Sequence, residues 1–448
     1  MITSNTFKTL FVIAILLCLT CKNNPHQVEK SVNEIHQTIT ETAEYITKED
    51  FSRLFKETDS IATANAHIWD KNIYGPMLFI DHKTKTYYAN TNPDNDSFTP
   101  GYKCFEGKFP KEIIVNGNTN INWKEKKWAV LELPLSNMPP LYAKLLNLHE
   151  LSHIALGELG FPKHTVDISH LNKYKGRLLM RIEIELLKRF INSNQKDLSL
   201  IKDALSVRKI RHMEFPLYKD QENSLELNEG LAEFMALSIA TDFYEQSYTS
   251  FYTMLIDNYI NLDNYNRQFA YFSIPIYGNA INKIDALWHK KITPKTNLTN
   301  FFSEKLNLTS NNDIEYYISK YDLHKISDKE FKRAAQQQKI TDTIIQNYKI
   351  QPHLFVPFFK QSFSAMPPEY SIENEGRYFG GVKLQDSWGT LNAHSGILIS
   401  LDFKSCYLKA PKTITKDSIV GDGYVLRFKG DFEIVKESEI RYVLKKKE

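Results

Sequence analysis

The segment His149-Glu150-Leu151-Ser152-His153 places two imidazoles four residues apart with a carboxylate beside the first. The surrounding run from Leu141 to Leu159 has no proline, and no glycine before Gly157, so the spacing predicts a helix over 141–159. At 3.6 residues per turn the two imidazoles lie one above the other, close enough to bind a single tetrahedral metal ion. Glu150 flanks that face without ligating, where a carboxylate can take a proton from a metal-bound water. A five-residue pattern in a chain with 13 histidines can arise by coincidence, so a second motif has to share the argument.

That motif is Leu227-Asn228-Glu229-Gly230-Leu231-Ala232-Glu233-Phe234, within a second helical stretch expected over 225–243. It offers two carboxylates four residues apart on one helical face. Taken together, the two segments resemble the HExxH and N-E-x-x-A or L-N-E-G-x-A motifs of the gluzincins, the clan of thermolysin and the aminopeptidase N-like enzymes. The resemblance covers the two motif helices. It implies one zinc ion held by His149, His153 and Glu229, with Glu233 as an outer acceptor for the free N–H of a ligating imidazole. Such a set leaves the fourth position to water, as catalytic zinc sites do. The implied reaction is peptide hydrolysis, with Glu150 taking the proton of the bound water and passing it to the leaving amine.

The resemblance also implies a donor for the oxyanion on a later helix and a sheet edge that pairs with extended peptide. Tyr277, in Ile276-Tyr277-Gly278-Asn279, is the candidate donor, one of 24 tyrosines. Trp128 to Leu133 is the candidate edge strand. The chain departs from the clan in the 75 residues between His153 and Glu229, a longer gap than is usual there. The added length is helical in pattern from Ser169 to Met213 and reads as an inserted hairpin. His170 and Arg177 at its start could reach the centre from the side, although a helix with Arg181, Glu183 and Glu185 is the usual pattern of solvated ion pairs. His164, His212 and His394 have no partner pattern and read as surface or satisfied histidines.

The elements that must position these groups fall into an α+β order. Thr47 and Asp50 form an N-cap pattern ahead of Phe51, Leu54, Phe55, Ile61 and Ala62, which recur at helical spacing. Between Ile73 and Leu135 short apolar runs such as Met77 to Ile80 and Trp128 to Leu131 predict a small sheet. Pro139-Pro140 ends it and opens the first motif helix. From there to about Lys349 the pattern is mostly helical, including Ser327 to Asn347 with a Ser327 and Glu330 capping box. The whole of 47–349 thus reads as a zincin-like metallopeptidase domain, and 357–448, with strand runs and Gly-Asp turns, as a β-sandwich-like domain. Trp388 and Tyr424 in that domain could bind sugar or peptide if exposed, or belong to its core.

The N-terminus reads as an export signal: Lys8, an apolar run from Leu10 to Leu19, then Thr20-Cys21 and the polar Lys22-Asn23-Asn24. The run of about ten residues is short of the roughly 20 that span a bilayer. Leu16 to Cys21 resembles a loose bacterial lipobox in which Cys21 becomes the lipidated first residue, with Cys18 and Leu19 departing from its usual small residues. The expected layout is a signal over 1–21, a polar tether over 22–46, and a lipid anchor holding the protein at a membrane, in the periplasm or at the cell surface. Cys104 and Cys406 would then remain, either as one disulfide or as two buried thiols.

A formal charge of +3 over 448 residues provides no field to gather nucleic acid, so no nucleic-acid partner is expected. Oligomeric state is not legible. Two other readings remain open beside the peptidase: a non-catalytic binding lipoprotein that keeps the metal, and a zinc hydrolase with a non-peptide substrate.

Overall fold

The structure is a computed structural model. It describes residues 48–95, 97–98, 101, 103–110, 112–113, 115, 117–133, 140–161, 163, 165–365 and 369–447. The expected signal, tether, Cys21, Thr47 and His164 fall outside the described residues. The architecture is α+β, and the chain divides into two compact units between Phe331 and Lys332.

The first unit opens with α1 (Lys48–Ala64) and α2 (Ala66–Trp69), followed by strands β1 (Met77–Asp81), β2 (Thr86–Ala89), β3 (Phe105–Lys108), β4 (Thr119–Trp123) and β5 (Lys126–Leu133). They form one sheet in the order β3-β2-β1-β5-β4, antiparallel except for the parallel pair β1 and β5. Both faces of β1 and β5 are covered, which is why Met77 to Ile80 and Trp128 to Leu131 read as unbroken apolar runs. Met77, Phe79, Ala129 and Leu131 face the helical core with Phe51 and Phe55 of α1, while Leu78, Ile80, Trp128 and Val130 build a second core with Phe109 and Trp123.

The expected edge strand, Trp128 to Leu133, is interior: β5 is paired on both sides, and β4 takes the edge. The cause is a two-residue hairpin at Lys124-Glu125, with φ values of 47° and 59°. Two central residues with positive φ mark a tight hairpin turn, usually signalled by Asn-Gly. Lys-Glu in that place gives no such signal.

The helical part follows as α3 (Pro140–Glu158), the hairpin α4 (Tyr174–Asn192) and α5 (Leu198–Glu214), then α6 (Lys219–Leu225), α7 (Leu231–Ile239), α8 (Thr241–Ile260), α9 (Ala270–Asn282), α10 (Leu298–Lys305), α11 (Ile314–Tyr321) and α12 (His324–Ile345). Helix α3 buries Leu145, Leu148, Leu151, Ala155 and Leu156 in the main core. It ends where Gly160 takes φ 85°, with Phe161 N–H bonded to the Leu156 carbonyl and Gly160 N–H to that of Gly157. That pair of bonds closes a helix on a left-handed residue, a position suited to glycine.

The helix expected over 225–243 is interrupted twice, by a π turn at Glu226–Gly230 and by a break at Ala240. Helix α12 begins ahead of Ser327, so no capping box forms there. Glu330 is buried instead and accepts from Arg177 Nε at 2.8 Å. No helix among the described residues is long and apolar enough to cross a membrane.

The second unit starts within α12, ahead of the boundary expected at 349–357, because Ile344 and Tyr348 pack on Ile372 and Leu398. Its strands form a six-stranded and a seven-stranded sheet. One core takes alternate residues from both, including Leu384, Leu391 and Leu426 from the first and Leu354, Ile397 and Leu408 from the second. Trp388 and Tyr424 are part of that core, at 0% and 1% exposure, so neither is a surface binding aromatic. Cys406 is buried there, Cys104 is half-buried in the first unit, and both are free thiols.

Candidate metal centre

Helix α3 holds His149 and His153 one turn apart, with ring centroids 4.8 Å apart and the rings nearly perpendicular at 84°. Their Nε2 atoms face each other at 3.1 Å. The π turn brings Glu229 across from them, its Oε2 at 3.3 Å from His153 Nε2 and 3.7 Å from His149 Nε2. All three side chains are buried. Metal bonds of about 2.0–2.1 Å in a tetrahedral set hold ligand atoms about 3.3 Å apart, and the three separations here scatter around that value. A point about 2 Å from all three atoms therefore exists, and the group can hold a metal ion.

The electrostatics agree with a cation in that place. Burial alone would lower the pKa of His149, but hydrogen bonds to Glu229 and Glu233 outweigh it and raise it to about 10. Burial would likewise raise the Glu229 carboxyl, yet His153 and His149 hold it well below the usual carboxylate range. Two facing imidazole nitrogens beside a carboxylate need positive charge between them, and a proton or a metal ion supplies it. Burial pushes Glu150 upward, opposed by His149 and His153. Glu233 Oε2 lies 2.7 Å from His149 Nδ1, which fixes the Nδ1–H tautomer and turns the Nε2 lone pair toward the centre.

Glu222, Glu226, Glu229 and Glu233 follow one another at intervals of four, three and four, across the π turn at Glu226–Gly230. The first two do not reach the metal point. Glu222 accepts from Arg211 Nε at 2.9 Å and from Arg211 Nη2 at 2.7 Å. Glu226 accepts from Arg208 Nη1 at 3.0 Å and from Ser273 Oγ at 2.6 Å. Both arginines also bind Glu183 and are fully buried, so the α4–α5 hairpin is tied to the run that carries Glu229 by internal ion pairs. His170 belongs to this network, with Nε2 at 2.6 Å from Glu222, and Arg177 pairs with Glu330. Neither is at the centre. His212 is 3.3 Å from the same Glu222, and His394 sits at a turn in the second unit.

Tyr277 is also in the network, because its hydroxyl donates to Glu183 at 2.9 Å and Arg208 lies over its ring at 4.6 Å. The tyrosine beside the centre is Tyr271, at the start of the same helix. Its hydroxyl donates to Glu229 Oε2 at 2.8 Å, and its ring centroid is 5.4 Å from that of His149. Six residues along a helix is about 240° of rotation, so the two tyrosines face different ways. Arg267, one turn before Tyr271, binds Oε1 of the same carboxylate.

Gly230 lets α9 approach the π turn. A Cβ there would lie 2.5 Å from Ile274 Cγ1 and 3.1 Å from the Ala270 carbonyl oxygen. Gly230→Ala is therefore expected to cost about 1–3 kcal/mol of overpacking and to weaken metal binding by moving Tyr271 and Arg267 off Glu229. Thermal unfolding with metal titration measures both effects, and wild-type values for each would show that the contact gives way freely.

No protein-family model, no curated protein and no solved structure matches the chain. The functional reading therefore stands on the residues and on this geometry.

Proposed function

We propose that the chain is a zinc-dependent peptidase that works outside the cytoplasm, held to a membrane by a lipid on Cys21. The observation that carries the reading is the buried triangle of His149, His153 and Glu229 with Glu150 on the same helix turn. Two imidazoles and one carboxylate suit zinc and leave a position for water. A zinc ion held there supplies a bound water with a pKa near 7 and polarises a carbonyl.

Each neighbouring group then has a task. Glu150 would accept the proton of the attacking water as its oxygen adds to the carbonyl carbon, and would then deliver that proton to the amine nitrogen, with which the C–N bond breaks and the amine leaves. Tyr271 is the donor for the carbonyl oxygen as it gains charge, the role the sequence suggested for Tyr277. Glu233 keeps His149 in one tautomer. Strand β4 lies beside α3, no further strand among the described residues pairs with its outer edge, and that edge would take the extended peptide.

The test is incubation of the zinc-loaded chain with a mixed peptide library, reading new termini by mass spectrometry. Cleavage that stops on chelation and returns with zinc is expected. Zinc-loaded protein that cuts no peptide would favour the binding-protein or non-peptide hydrolase readings.

A further inference from the structure

We propose that Arg267 is a positioning residue that holds Glu229 as a one-oxygen metal ligand, an inference that rests on the metal reading of the centre. The two oxygens of this carboxylate are engaged differently. Oε2 faces the imidazole nitrogens at 3.3 and 3.7 Å and accepts from the Tyr271 hydroxyl at 2.8 Å. Oε1 bonds to the Arg267 guanidinium, and Asn228 Nδ2 donates to it at 3.1 Å. A carboxylate that ligates through both oxygens adds a fifth ligand and crowds the position a catalytic site reserves for water. A guanidinium on Oε1 opposes that second bond by charge and by geometry.

The placement of Arg267 is built into the fold. It stands in the turn Arg267–Phe269, which opens with the Asn266 side chain accepting from Gln268 N–H at 3.0 Å and runs directly into α9. The close packing at Gly230 fixes α9 against the ligand helix. Arg267 is about half exposed, with a side-chain value of 47%, whereas the Glu229 side chain is at 4%. Its long stem thus reaches from the rim to a buried oxygen, and its removal should not disturb the core.

The experiment uses the full chain and its Arg267→Gln and Arg267→Lys variants. Zinc affinity is measured by competition with a chromophoric chelator, and coordination by the visible absorption of the cobalt-substituted proteins. Arg267→Gln should bind zinc about 10- to 100-fold more weakly. Its cobalt spectrum should lose the intensity of a four-coordinate ion as Oε1 becomes a further ligand, and Arg267→Lys should recover part of it. An unchanged cobalt spectrum in Arg267→Gln overturns the proposal, whatever the affinity does. A wild-type chain that takes up neither metal overturns the centre itself.

Discussion

Glu150→Gln is expected to keep its zinc and to hydrolyse peptide about 10²- to 10⁴-fold more slowly than the parent chain. Glutamine has nearly the shape of glutamate, so helix α3 and its two imidazoles stay in place. What it lacks is the ability to accept the proton of the attacking water. Glu150 is buried on the ligand-bearing turn, 5% exposed, where bulk water is a poor substitute base. The assay pairs peptide cleavage with metal content, because zinc loss and base loss both abolish activity but only the first empties the centre. Full cleavage by a zinc-loaded Glu150→Gln protein would remove Glu150 from the mechanism.

The second large effect is on stability. Arg211→Met should cost about 3–5 kcal/mol, because it leaves two buried carboxylates without their shared cation. Arg211 is fully buried, binds Glu222 through two nitrogens and reaches Glu183 Oε2 at 2.5 Å. It also holds the Glu222 carboxyl well below its ordinary range against the opposing effect of burial. Methionine retains most of the stem and isolates the charge. Breaking the exposed pair of Arg53 and Asp50, at 2.7 Å, serves as the contrast and should cost less than about 1 kcal/mol. Urea unfolding followed by tryptophan fluorescence compares the two variants. Equal losses would mean that the internal network contributes no more than a surface pair.

This network shows where the sequence was legible and where it was not. His149 and His153 could be read as a pair because their four-residue spacing is helical geometry, whereas Glu229 came with the resemblance of Asn228-Glu229 to the gluzincin motif, and the fold brings all three to one point. Periodicity put Glu233 on the same face as Glu229, and its place as an outer acceptor was implied by that resemblance. Glu183, by contrast, looked like one of several solvated charges on a long helix. Its partners Arg208 and Arg211 lie on the next helix, and only the packing of α4 on α5 brings them together. The Glu222 and Glu226 carboxylates likewise look identical to Glu229 and Glu233 until the arginines are placed.

The fold class and the apolar strand runs were readable for a similar reason: burial on both faces leaves a mark on composition. The order of the strands was not, since the turn that makes β4 the edge consists of Lys124 and Glu125. Tyr271 escaped because the direction a tyrosine takes from α9 depends on how that helix meets Gly230. That contact joins residues 40 or more apart in sequence.

The central claim, a metal ion held by His149, His153 and Glu229, is tested most directly by the zinc content of the purified full chain beside His153→Ala and Glu229→Ala. One zinc per chain in the parent and its loss from both variants is the predicted result. Unchanged zinc in both variants would contradict the claim.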